Sequence, residues 1–216
     1  MPLIRSVFQD ELDSVSQTLF DLSVMVSDSM ARATKSVMTK DLKLAEDVIT
    51  SDEKIDTVQH ELDARIIDII ARQQPVASDL RALITALRMS ADLERMGDLA
   101  HHVAKLVRLR HPASAVPAEL LALVEVIGET AEKIATKTGV VIATRDTAMS
   151  QEVERDDDEM DKLHRQLIGT LVDPSWTHGV ESAIDLTLLG RYYERFADHA
   201  VSVSRRVYYL VTGTYA

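Results

Sequence analysis

Apolar residues recur near the start of the chain at Leu12, Val15, Leu19, Leu22, Val26, Met30, Ala33 and Val37, always three or four positions apart. That spacing puts the side chains on one stripe of an α-helix and predicts the seam of an antiparallel bundle. Leu44, Val48, Ile55, Leu62, Ile66 and Ile69 carry the pattern through a second helix. Near the end of the chain Ile184, Leu186, Leu189, Tyr193, Phe196, Ala200, Val203 and Val207 draw it again. No run alternates with period two for long, so no strand is predicted.

Prolines at 2, 75, 112, 117 and 174 set the divisions. The 72 residues between Pro2 and Pro75 and the 56 between Pro117 and Pro174 are each too long for one globular-protein helix and suit two antiparallel helices. The reading is therefore two helices, a break at Gln74-Pro75, and a third helix to His111-Pro112. After a linker over 112–117 come two more helices, a break at Asp173-Pro174 and a last helix to about Thr212-Gly213. Between the first two helices, where Gly and Pro are missing, Asp41 is the expected N-cap.

The two halves repeat. Asp41, Val48, Asp52, Asp56 and Leu62 match Asp146, Val153, Asp157, Asp161 and Leu167 at an offset of 105. Glu94-Arg95-Met96-Gly97-Asp98-Leu99-Ala100 matches Glu194-Arg195-Phe196-Ala197-Asp198-His199-Ala200 at an offset of 100. The expected fold is thus all-α: two tandem, pseudo-symmetric three-helix bundles, six long helices in all, over residues 1–111 and 118–216.

Composition narrows the function classes. Of 216 residues, 7 are Gly and 5 Pro, about half the usual combined share of roughly 12%, which fits long helices and few turns. The chain has no Cys, so it has no disulfide frame, thiolate metal site or Cys nucleophile, and a reducing cytoplasm suits it. Met1-Pro2-Leu3-Ile4-Arg5 runs directly into charged sequence without the apolar core of a signal peptide, and no stretch approaches the ~20 apolar residues of a membrane span. A net charge of −11 argues against a non-specific nucleic-acid binder. The expectation is an acidic cytoplasmic protein with neither nucleic-acid binding nor membrane insertion.

Helix positions i and i+4 lie about 40° apart in azimuth and roughly 6 Å apart along the axis, so both side chains leave one face. Asp52/Asp56 and Glu94/Asp98 are then paired carboxylates on adjacent helices of the first unit, and Asp157/Asp161 with Glu194/Asp198 repeat them in the second. Like charges so placed cost about 0.2–0.5 kcal/mol per pair even when exposed. Partly desolvated, they call for a cation, a proton or an arginine. All-oxygen sets suit Mg²⁺, Mn²⁺ or iron, and zinc also accepts carboxylates.

Gln73-Gln74-Pro75-Val76-Ala77-Ser78-Asp79-Leu80-Arg81, Asp92-Leu93-Glu94-Arg95-Met96-Gly97-Asp98 and Glu194-Arg195-Phe196-Ala197-Asp198 resemble the PhoU family of phosphate-signalling regulators, over nearly the whole chain from about Val7 to Gly213. The resemblance implies multinuclear iron or zinc clusters on the repeated acidic motifs. It places metal at Glu94, Asp98, Glu194 and Asp198, and secondarily at Asp52, Asp56, Asp157 and Asp161, with manganese or magnesium as further options. It also implies a negative regulator of the phosphate-starvation response, an adaptor linking a phosphate ABC transporter and its ATPase to a sensor histidine kinase. No catalysis is implied, and a homodimer is among the expected assembly states.

Two other readings compete. A ferritin-like di-metal carboxylate protein needs Glu-x-x-His, but Gly97 and Ala197 stand where the histidines should be. A metal-free helical scaffold would leave the acidic faces solvated and paired with Arg95 and Arg195. Arg95 and Arg195, about 100° from the glutamates, are expected to form ion pairs with another helix. The run Asp156-Asp157-Asp158-Glu159 reads most simply as a solvated face. His101, His102 and His164 lie at ligand-compatible spacings from Asp98 and Asp161, but read first as surface or hydrogen-bonded residues. Among the aromatics, Tyr193 is assigned to the core, and Tyr208 and Tyr209 stay open between core and a docking patch.

Overall fold

The turns that join the first two helices of each half contain neither Gly nor Pro. Lys40 (φ 56°) and Arg145 (φ 57°) both take the left-handed conformation, at equivalent places in the two halves. The aspartate after each caps the next helix: Asp41 Oδ1 accepts from Leu44 N at 3.0 Å, and Asp146 Oδ1 from Ala148 N and Met149 N at 2.8 and 3.1 Å. The computed structural model describes residues 2–214, with side chains from Val7 onward. Met1, Tyr215 and Ala216, the outermost residues of the two expected units, lie outside the described residues, as do the side chains of the N-terminal segment read for a leader.

Among the described residues the helices are α1 (Pro2–Thr39), α2 (Leu42–Gln73), α3 (Ala77–Arg110), α4 (Leu121–Thr144), α5 (Thr147–Leu171) and α6 (Gly179–Thr212), with a 3₁₀ turn over Ala118–Leu120 and no strand. The proline-marked breaks fall between helices as expected; Gln74, left-handed at φ 46°, ends α2 just before Pro75. No helix among them is long and apolar enough to cross a membrane.

α1, α2 and α3 pack on one another, as do α4, α5 and α6. α1 also packs on α4 and α3 on α6, so these four helices share one core, while α2 and α5 cover its two flanks. Leu22, Val26, Met30, Leu93, Met96, Leu189 and Phe196 are fully enclosed in it. Small residues permit the α1–α4 contact. A Cβ on Gly128 would come within 2.2 Å of Thr34 Cγ2, and one on Gly139 within 2.9 Å of Ser23 Oγ. Tyr193, buried as expected, ties α6 to α1 through a 2.8 Å hydrogen bond with Thr34 Oγ1.

The predicted stripe departs from the structure at two places. Leu44 is only half-buried and Ala45 goes inward instead. Ile184 is 54% exposed, while Asp185 beside it is 5% exposed. Asp185 turns inward because Arg110 reaches it from α3, with Nε on Oδ2 at 2.6 Å and Nη2 on Oδ1 at 2.9 Å, while the same guanidinium also bonds Glu181. Such a bidentate pair satisfies a carboxylate that would otherwise be costly to bury.

Candidate metal centres

In the first unit α2 carries Asp52 and Asp56 against Glu94 and Asp98 of α3. Gly97 makes this approach close: a Cβ there would stand 3.0 Å from Ile55 Cδ1 and 3.2 Å from Asp52 Oδ1. Asp52 is 7% exposed. Its Oδ2 accepts from His101 Nδ1 at 2.6 Å, the carboxylate being acceptor only. Asp52 Oδ1, Asp56 Oδ1 and His101 Nε2 are buried atoms without a hydrogen-bond partner. Burial raises the Asp52 pKa; His101 opposes the rise by hydrogen bond and charge, and Asp56 and Asp98 add to it. Glu94 is raised by burial and by Asp98, Asp56 and Asp52, with Arg95 opposing.

The second unit repeats the arrangement with Asp157 and Asp161 on α5 and Glu194 and Asp198 on α6. Burial, with repulsion from Asp198, Asp161 and Asp158, pushes the Asp157 carboxyl up to about 6 from 3.8, against the pull of Arg205. Glu194 is raised by burial and Asp198, opposed by Arg191 and His164 and helped by Asp161. His164 packs over Gly190, where a Cβ would be 3.1 Å from its Cδ2.

The arginines differ from expectation. Arg95 pairs with Asp98 of its own helix rather than crossing to another, and Arg195 Nη1 meets Asp198 Oδ2 at 3.3 Å in the same way. Three positions along a helix put both partners on one exposed face, within reach of a long guanidinium. Arg191 likewise holds Glu194 at 2.5 and 2.6 Å. The acidic run of α5 divides between two neighbours and solvent. Asp156 bonds Lys133 (2.6 Å) and Lys137 (2.9 Å) of α4, Asp157 faces Asp198, and Asp158 and Glu159 are exposed.

His102 turns to the α3–α6 seam, where its ring stacks on Tyr192 with centroids 5.2 Å apart and planes 20° apart. Burial, helped by Lys105 and His101, lowers its pKa. His199 also lies on this seam and meets Asp92, a residue to which the sequence assigned no role. His199 Nδ1 donates to Asp92 Oδ1 at 3.0 Å and Arg206 Nε to Oδ2 at 2.9 Å.

Among the described residues no three His, Asp or Glu side chains already stand as a metal-holding group. The chemistry of the clusters nonetheless fits a cation. Glycine leaves room at Asp52, buried carboxylate oxygens of the first unit lack donors, and burial with mutual repulsion raises acidic pKa values in both units. Asp52, Asp56, Glu94 and Asp98 would hold one site, and Asp157, Asp161, Glu194 and Asp198 the other.

A family profile described as the PhoU domain matches residues 19–107 and again 124–207. The chain is 42% identical over 212 residues to the "Phosphate-specific transport system accessory protein PhoU homolog 1" of Mycobacterium leprae, covering 98% of this chain and 96% of that one. It is 41% identical over 212 residues to PhoU homolog 2 of Mycobacterium tuberculosis, covering 98% and 100%. The crystal structure of PhoU from Pseudomonas aeruginosa superposes with a TM-score of 0.84 at 28% identity, over 96% of this chain and 100% of that one. The fold is also that of the phosphate transport system regulatory protein PhoU from Streptococcus pneumoniae, with a TM-score of 0.87 at 23% identity over 97% and 99% of the two chains. A doubled three-helix unit with matching carboxylates, and a profile that matches it twice, lead to one conclusion: the chain belongs to the PhoU family.

Proposed function

We propose that this chain is a cytoplasmic accessory and regulatory protein of a phosphate transport system, an adaptor between a phosphate ABC transporter and a sensor histidine kinase that restrains the phosphate-starvation response. Relatives that carry the name of phosphate-specific transport accessory proteins along nearly their whole length support the pathway. The observation that carries the metal part is the repeated, partly desolvated carboxylate cluster. Iron or zinc is the first choice, since both accept carboxylate oxygen with or without imidazole nitrogen. A cation bound there supplies positive charge at a seam crowded with carboxylates. Asp52 and Asp56 of α2 with Glu94 and Asp98 of α3 would hold it in the first unit, and Asp157 and Asp161 of α5 with Glu194 and Asp198 of α6 in the second, relieving the repulsion between neighbouring helices.

A metal-free scaffold is the second reading, favoured by the Arg95–Asp98 and Arg191–Glu194 pairs. Elemental analysis of protein purified without chelator separates the two. Iron or zinc should be retained, and its content should fall when Glu94→Ala and Asp98→Ala are combined. Zero metal in the parent, with a more heat-resistant double variant, removes the metal part. For the adaptor, affinity purification from phosphate-replete cells should recover the transporter ATPase and the histidine kinase; recovering neither overturns it.

A further inference from the structure

Where the beginnings of α1 and α3 meet the ends of α4 and α6 there is a cavity of about 250 Å³. Its floor is apolar, formed by Leu12, Val15, Leu83, Ala86, Ile142 and Val207. Arg81 and Arg145 stand on its rim, both exposed, and among the described residues neither has a carboxylate partner. The Arg81 guanidinium lies over the Tyr209 ring, 5.4 Å from its centroid. Arg145 is the left-handed C-cap of α4, its backbone N–H bonded to Val141 O at 2.9 Å. Asp79 is also on the rim, exposed, and accepts from Ser78 Oγ at 3.3 Å. It leaves the rim one positive charge in excess.

The internal repeat says what this cavity is. Its counterpart at the opposite end carries Lys40 for Arg145, Glu181 for Arg81 and Arg110 for Leu210. There Arg110 is held by Asp185 and Glu181, His178 bonds Glu119, and Ala115, Val116 and Leu120 from the connection between α3 and α4 are buried. The protein's own chain thus supplies both the apolar filling and the opposite charge at that end. At the Arg81–Arg145 end the cations and the apolar floor have no such complement among the described residues.

We propose that this cavity is a binding site for a small amphiphilic anion, with a carboxylate or phosphate-ester head between Arg81 and Arg145 and a short apolar body against Leu83, Ala86 and Val207. Guanidinium groups bind such oxyanions through paired, charge-assisted hydrogen bonds. The volume is near the lower end of ligand pockets, about 300–1,000 Å³, which restricts the body to a short chain or single ring. The site is separate from the carboxylate clusters and does not depend on their holding metal.

Calorimetric titration of the full chain with octanoate, octyl phosphate, octanol and inorganic phosphate tests this. Octanoate or octyl phosphate should bind saturably at one site, and the better of the two identifies the head group. Binding should weaken roughly tenfold or more in Arg81→Ala/Arg145→Ala, whose exposed positions leave the helical circular dichroism and melting temperature in place. Ala86→Leu, which narrows the floor, should weaken it as well. The proposal is overturned if neither amphiphile binds saturably, if octanol binds as tightly as octanoate, or if the double arginine variant binds unchanged. It is equally overturned if inorganic phosphate matches octyl phosphate, since the apolar floor would then contribute nothing.

Discussion

Asp157→Asn should make the metal-free protein more stable at neutral pH, although it removes a carboxylate from the heart of the second cluster. Asp157 ionises in the folded chain at about 6 rather than 3.8, because it is desolvated and faces Asp198, Asp161 and Asp158. A carboxyl whose folded pKa is raised contributes stability that is complete below the unfolded value, near 3.8, and is lost as pH climbs through about 6. A shift of roughly two units corresponds to about 3 kcal/mol if none of it is screened. The side chain is only partly buried, so solvent reduces this to about 1–2 kcal/mol. For a chain of this size that is about 3–6 °C in melting temperature. The neutral amide keeps the shape and loses the repulsion.

The assay is thermal unfolding followed by circular dichroism, in chelator, from pH 4 to pH 7. Parent and variant should melt close together at pH 4, and the variant should pull ahead between pH 4 and 6. Zinc or iron(II) added at pH 7 should then stabilise the parent more than the variant and narrow or reverse the gap. A gap of the same size at pH 4 and pH 7, or a variant less stable at both, would refute the electrostatic account of the cluster.

Three further substitutions probe the scaffold. Gly128→Ala should destabilise by about 1–3 kcal/mol despite alanine's better helix propensity, because the new methyl meets Thr34 at 2.2 Å; chemical denaturation reads it, and a stabilised variant contradicts the α1–α4 packing. Tyr193→Phe should cost about 1–2 kcal/mol by the same measurement, since Thr34 Oγ1 loses its partner in a dry setting. Asp92→Ala removes the acceptor shared by His199 and Arg206 and should cost about 1–2 kcal/mol, less at high salt; a loss indifferent to salt would assign it to packing.

How much of this could be read in the chain follows from what a helical repeat encodes. Periodicity fixes the azimuth of each side chain, so the two units, the Asp41 cap, the Tyr193 core position and the pairing of acidic positions across α2–α3 and α5–α6 were legible. Azimuth does not say which helix lies opposite. Asp92 meets His199 and Arg206 more than a hundred positions away, and Arg110 meets Asp185 at a separation of 75, so nothing local announced either contact. A polar residue at an inward position was the one available signal, and Asp185, between Ile184 and Leu186, carried it.

The two halves also diverge at the places where their ends differ. His101 bonds Asp52 in the first unit, whereas Val201 stands at the equivalent position in the second; His164 lies over Gly190, whereas Gln59 and Ser90 both bond Asp63 in the first unit. Duplication supplied two copies of one carboxylate frame, and what has changed since is the set of neighbours around it. Each cluster has a histidine beside it, contributed by α3 in one unit and by α5 in the other, so the environments of the two are related but not equivalent. The same holds for the ends of the shared core, where Arg110 finds Asp185 at one end while Arg81 and Arg145 face an open cavity at the other. Pseudo-symmetry is therefore the reference against which each asymmetric residue of this chain acquires a testable role.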